Sequence, residues 1–219
     1  MNASFDPTPP GDIERRSFEI IETEVPEPRP FQGTEWVVVR RMIHATADFD
    51  LLGQIRFSPG AVQAGLQALG RGCLVLADTE MARAGITGGR MQRLGCSVRC
   101  DLSDPRVSRE AREQGRTRTA TAVRLAAGEL ENAIWVVGNA PTALNELLDL
   151  CRERSAQPAL VVGMPVGFVG AAESKERLAA QDGIPFVTVL GRKGGSAAAA
   201  ACVNALAETA LNPGSTGQS

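Results

Sequence analysis

Residues 37–50 read VVVRRMIHATADFD and hold the only histidine of the 219-residue chain. His44 follows Arg40 and Arg41 and precedes Asp48 and Asp50. Imidazole is the one side chain whose ordinary titration falls between pH 5 and 8, which suits it to giving and taking protons. Guanidinium groups grip carboxylates and phosphates through a planar two-point fork. On a helix, Arg40, Arg41, His44 and Asp48 would share one face through the i, i+3 and i, i+4 rule. That run offers a proton-handling group beside anion anchors; from spacing alone, a helix-surface or core histidine on a face that collects charge is the plainer reading. Asp48 and Asp50 are oxygen donors of the type that hold hard cations, but solvated charge at a helix end is the plainer reading, and no metal site is expected.

Two further groups invite attention. Ser17, in ERRSFEII, shares a helical face with Ile13, Ile20 and Ile21, so its hydroxyl is expected to face inward. Arg118 sits in the basic run RTRTATAVR. Of the 23 basic residues only Lys175 and Lys193 are lysines. Arginine codons of a GC-rich genome explain much of that bias, and the alanine run SAAAAAC fits the same explanation. Cysteines at 73, 96, 100, 151 and 202 lack CxxC spacing and read as reduced, mostly buried thiols.

The elements that must position these residues follow from periodicity. Residues 1–11 and 212–219 are polar and rich in Pro, Gly and Ser, and read as loose ends around one domain over 12–211. DIERRSFEIIETEV reads as a helix capped by Asp12 and closed by Pro26, Pro28 and Pro30. A second helix is expected from a Thr34 cap to about Ala47. Beyond it, CLVLAD (73–78), CSVRC (96–100), AIWVVGN (133–139), ALVVGM (159–164) and FVTVL (186–190) are short apolar runs, each followed by a turn and a helical segment. This alternation predicts a single three-layer α/β/α domain with a mainly parallel, doubly wound sheet. Ligands of such sheets collect beyond the carboxyl ends of the strands, where 136–144, 161–176 and 189–200 form glycine-containing loops fit to hold anions.

Other classes are disfavoured. GxGxxG after the first strand and GxxxxGK[ST] are both missing, which counts against a Rossmann-type oxidoreductase or a P-loop enzyme. A formal charge of −2 offers no general attraction to nucleic acid or acidic membrane, and 4% aromatic residues without tyrosine give few stacking platforms. No apolar run has the length of a spanning helix, and no signal-peptide pattern opens the chain. A cytoplasmic protein without cofactor or metal is expected.

Taken together, ERRSFEII, RRMIHATADFD, ADTEMARAGI, RTRTATAV, VGNAPTAL, GMPVGFVGAAESKE and GRKGGSAAAA, in this order, resemble the precorrin-8X methylmutase (cobalt-precorrin-8 methylmutase) family. The resemblance implies an isomerase of cobalamin biosynthesis, moving a methyl group from carbon 11 to carbon 12 of a contracted tetrapyrrole to give hydrogenobyrinic acid or its cobalt form. It implies a three-layer α/β/α fold and a homodimer with its site near the interface. It places the acid–base histidine on His44 and substrate contacts on Ser17, Arg41 and Arg118, the last supplied by either subunit. The tail TADFD leans toward the cobalt branch, and Asp48 and Asp50 are not expected to be essential to the chemistry. A non-catalytic tetrapyrrole carrier of the same pathway is the alternative, and a carrier would not need His44 as an acid.

Overall fold

The computed structural model describes residues 9–154 and 157–214. Two helices come first, α1 (Pro10–Glu24) and α2 (Gly33–Thr46), followed by the short α3 (Leu51–Gln54). The remaining strands and helices alternate: β1 (Ile55–Phe57), α4 (Ala61–Gly70), β2 (Leu74–Ala77), α5 (Glu80–Gly85), α6 (Gly88–Arg93) and β3 (Ser97–Arg99). Then come α7 (Pro105–Gln114), α8 (Arg118–Leu125), β4 (Ile134–Val137), α9 (Pro141–Arg154) and β5 (Leu160–Gly163). The chain closes with α10 (Ala171–Ala179), β6 (Phe186–Val189) and α11 (Ser196–Leu211).

The six strands form one sheet in the order β1-β6-β5-β4-β2-β3. All pairings are parallel except that of the edge strand β1 with β6. The five expected strands are all present. β1 was not foreseen, because three residues with a central arginine give no apolar run to read. Alternation along the strands builds two cores. Val75, Ile134, Val136, Leu160, Val162 and Val187 face a layer formed by α2, α4, α5 and α11. Leu76, Trp135, Val137, Val161 and Phe186 face the layer of α8 and α9. Helices on both faces of a mainly parallel sheet make this the doubly wound α/β/α sandwich expected. No helix among the described residues is long and apolar enough to cross a membrane.

The centre of the first layer is α11, and it is built from small residues. Ala198, Ala199, Ala200 and Ala201 are all buried, so the alanine run serves packing whatever its codon origin. Small side chains let neighbouring backbones come close. A Cβ placed on Gly85 would stand 2.8 Å from the Ala200 Cβ, and one on Gly138 would stand 2.7 Å from the Ser196 Cα. At Gly138 the obstacle is the backbone that opens α11, which cannot turn away as a side chain can. Gly138→Ala should therefore destabilise by about 1–3 kcal/mol, as overpacking does. Gly128→Ala, which enters open space, should stay within about 0.5 kcal/mol of wild type. Urea unfolding of both variants checks this, and equal midpoints would contradict it.

Candidate functional site

The helix that carries His44 ends about where expected and does not continue to Asp48. Gln32, and not Thr34, precedes its first turn, and Ala47 adopts the left-handed conformation with φ 50°. Asp48 thus lies beyond the helix and does not continue the face of His44. The helix α1 begins one turn earlier than expected, after Pro9, so Asp12 falls in its first turn and pairs with Arg15 at 3.0 Å instead of capping.

The side chains of the charged run are distributed between the fold and the solvent in a definite way. Arg40 pairs with Glu22 of α1 at 2.6 Å, and Glu22 also accepts the Trp36 indole N–H at 2.9 Å and an ion pair from Arg29. Arg41 pairs with Glu14 of α1 and, at 2.7 Å, with Glu208 of α11. Both guanidiniums lie over the Phe18 ring, 4.5 and 4.9 Å from its centroid. Asp48 and Asp50 each accept from the Lys193 ammonium at 2.7 Å. All four charged neighbours of His44 therefore join elements together: α1 to α2, α2 to α11, and the end of α2 to the β6–α11 loop. Arg41, expected as an open anchor, has both ends of its fork occupied by carboxylates of its own chain.

His44 differs from them. It is half-buried, with the Phe18 ring edge-on at 5.2 Å between centroids, and its ring makes no hydrogen bond among the described residues. Both of its nitrogens remain available.

Ser17 is half-buried, and its hydroxyl donates back to the Ile13 carbonyl at 2.8 Å. The stripe on which it lies does not face inward: Ile13 is 52% and Ile20 48% exposed. Helix α1 instead meets α2 through Phe18, Ile21 and Val25 together with the Glu22 ion pairs, and these turn the Ile13–Ser17–Ile20 face outward. Arg118 stands apart from His44. It opens α8 in the other layer, is exposed, and donates to the Leu102 carbonyl at 2.7 Å. The structure brings Ser17, Arg41 and His44 to one helix pair and leaves Arg118 across the sheet.

The strand-end loops also hold a residue that sequence reasoning passed over. Asp78 directly follows β2 and is buried; its carboxylate accepts the backbone N–H groups of Gly138, Asn139 and Ala140 at 3.0, 2.9 and 2.8 Å. Burial raises its pKa, with the three donors working in the opposite direction. The loop expected to hold an external anion thus already holds an internal one. Its place is the switch point between β2 and β4, where the chain leaves to opposite faces of the sheet. The other two loops bind each other: Gly167 N–H to Arg192 O at 3.1 Å, and Gly195 N–H to Met164 O at 2.8 Å. The signal for Asp78 was its position, directly after an apolar run and before a Thr cap.

The same loops use both lysines. Lys175 is completely buried and donates to the Lys193 carbonyl at 2.5 Å, while Lys193 itself reaches Asp48 and Asp50. The cysteines are all free thiols, with Cys151 and Cys202 buried and Cys73, Cys96 and Cys100 only partly so. A hollow of about 530 Å³ lined by Arg71, Cys73 and Glu131 opens at the opposite, amino ends of the strands.

With this geometry in view, the chain can be set beside known proteins. The family model for precorrin-8X methylmutase matches residues 12–209. A cobalt-precorrin-8 methylmutase of Priestia megaterium is 44% identical, over 90% of this chain and 87% of its own length. One from Salmonella typhimurium is 46% identical, over 90% and 94%. A precorrin-8X methylmutase of Pseudomonas aeruginosa is 46% identical, over 89% and 93%. The crystal structure of a precorrin-8X methylmutase from Thermus thermophilus superposes with a TM-score of 0.85 at 44% identity, covering 93% of this chain and 98% of that one.

Lys175 supplies a test of the loop assembly. Burial pushes its pKa down from the ordinary 10.5 to about 8. Below about 8 both states are protonated and the cost of the buried charge is fully present. Between 8 and 10.5 the unfolded chain holds the extra proton, so this contribution to stability rises with pH; above 10.5 the cost is gone. Burial pushes the Cys73 and Cys202 thiols up to about 12; they act in the opposite sense and cancel when Lys175→Met is compared with wild type. The stability of wild type relative to Lys175→Met should rise by about 3 kcal/mol from neutral pH to pH 10.5. Urea titrations across that range measure it, and a pH-independent difference would refute the buried-charge account.

Proposed function

Because the chain belongs to the precorrin-8X methylmutase family, and is thus a methylmutase of cobalamin biosynthesis, we propose that it moves a methyl group from carbon 11 to carbon 12 of precorrin-8X or cobalt-precorrin-8. His44 serves as proton donor and acceptor. The observation that carries this reading is the state of the charged run: Arg40, Arg41, Asp48 and Asp50 are engaged with the fold, and the His44 ring is not.

The reaction conserves composition. One carbon–carbon bond to the methyl group breaks as another forms, and the π-system shifts to compensate, so no oxidant, reductant or covalent nucleophile is consumed. The protein's contribution is to hold the macrocycle and to lend a proton to a ring nitrogen while conjugation reorganises. A positioned acid of this kind contributes roughly 10²–10⁴ in rate. Ser17 is turned to the ligand by a rotation of its hydroxyl away from the Ile13 carbonyl. Arg41 meets a peripheral carboxylate by exchanging Glu14, the more exposed of its two partners, and keeping Glu208. Arg118 reaches the site from the partner subunit of a homodimer. Its place across the sheet from His44, and the outward Ile13–Ser17–Ile20 face of α1, support that arrangement.

The direct test follows conversion of precorrin-8X and of cobalt-precorrin-8 to their corrin products by absorption. His44→Ala should lose most turnover yet still bind the product, since binding rests on other residues. Full turnover by His44→Ala would end the acid assignment, and binding without turnover in wild type would identify a carrier. Arg41→Lys should bind more weakly despite its retained charge, because the fork is lost.

Subunit sharing has its own test. Sedimentation equilibrium should give a dimer. His44→Ala and Arg118→Ala, each inactive alone, should regain up to about a quarter of wild-type turnover when mixed and allowed to exchange, because half the dimers are then mixed and each has one intact site. No recovery despite verified exchange would place Arg118 and His44 of one chain in the same site.

A further inference from the structure

Three residues of the β5–α10 loop stand out from the surface. Phe168 is 85% exposed and Val169 88%, with Val166 beside them at 43%. Single exposed apolar residues are ordinary, but a contiguous group containing a phenylalanine marks a contact surface. Across this loop lies Arg192, its guanidinium 5.5 Å over the Phe168 ring. Among the described residues that guanidinium makes no ion pair or hydrogen bond. Arg41 and Arg40 have their carboxylates, and Arg118 has its carbonyl; Arg192 has only the ring.

The pair is held in place by the backbone around it. Gly167, next to Phe168, donates its N–H to the carbonyl of Arg192 itself. One residue on, the Lys193 carbonyl accepts from buried Lys175, and the Lys193 ammonium is fixed by Asp48 and Asp50. Arg192 therefore directly precedes the lysine whose ammonium holds the segment that follows the His44 helix. An exposed aromatic face beside an unpaired two-point cation fits a ligand with a flat apolar body and acidic edges.

We propose that Phe168 and Arg192 form a recognition lip for the macrocycle, the ring of Phe168 and Val169 lying against its apolar body and Arg192 taking a peripheral carboxylate. This rests on the reading of the chain as a methylmutase that acts on a carboxylated tetrapyrrole, and it names a surface that receives that ligand. Neither residue touches the reacting carbons; both set affinity and orientation.

The test uses full-length protein, with hydrogenobyrinic acid as one probe and a corrin whose peripheral carboxylates are all amidated as the other. Phe168→Ala should weaken binding of both about tenfold, the scale of a lost aromatic stacking contact. Arg192→Lys should weaken the acid severalfold and leave the amidated corrin unchanged, because only the carboxylate uses the fork. Both side chains are exposed, so urea midpoints should stay at the wild-type value. If wild type binds the acid and both variants bind it equally well, the lip is refuted while the methylmutase reading stands. If wild type binds neither corrin, the reading on which the lip rests fails with it. If Phe168→Ala dissociates the protein in sedimentation while each subunit keeps its affinity, the surface is a contact between copies and the proposal is overturned.

Discussion

The candidate site depends on how closely α11 can approach its neighbours. This helix lies in the middle of one layer, against α2, α4, α5 and the strands beneath, and its buried positions are mostly alanine. An alanine face has little to interlock, so its contribution comes from short distances and dense contact more than from large buried side chains. Glycines on the facing elements complete the fit. Gly65 lies against Leu206, Gly85 against Ala200, and Gly138 against the backbone at Ser196. Against the same helix, Arg41 of α2 reaches Glu208 of α11 at 2.7 Å. The helix that carries His44 is thus placed by the smallness of residues that carry no chemistry at all.

Charge is organised to the same end. Buried or half-buried charges are tolerable when each is paired or satisfied by hydrogen bonds. Glu22, Glu208 and Lys193 each serve more than one partner, and every pair joins separate elements. Asp78 does the same with backbone donors, linking the end of β2 to the start of α9. That use of the switch point is physically informative. In a nucleotide-binding sheet, N–H groups in this place face a phosphate of the ligand. Here they face a carboxylate from the protein.

The sheet was legible because buried strands write themselves as short apolar runs between turns, and alternation such as Ile134, Trp135, Val136 and Val137 distributes to the two cores as period two requires. β1 was not legible, since its identity comes from pairing with β6 and not from its own residues. The charged run was legible as a location, and its pairing partners were not. Spacing told that Arg40, Arg41 and His44 sit together, but partners lie far away in sequence: Glu208 for Arg41, Lys193 for Asp48. No local pattern specifies such pairs. The face of α1 failed for a related reason. Ile13, Ser17 and Ile20 form a helical stripe, yet the two-helix contact is decided by Phe18 under two guanidiniums and by Glu22. The alanine run was readable as composition bias only until a packed neighbour existed to give it a purpose.

An isomerase of this type faces a particular constraint. Substrate and product share a skeleton and a set of carboxylates, so tight binding through the periphery holds both alike and does nothing to favour the rearrangement. Groups fixed by the fold are good at uniform holding; a group that changes its proton during the reaction must stay free to do so. The division seen around His44 is the one that its proposed role requires. The arginines and aspartates beside it are immobilised by partners on three different elements, which fixes the helix, and the imidazole is left with an aromatic edge and open nitrogens. Had Asp48 or Glu14 paired with the histidine instead, the ring would be oriented but its proton already committed. Keeping carboxylates on arginine and lysine is what leaves the one imidazole of the chain without a carboxylate partner among the described residues.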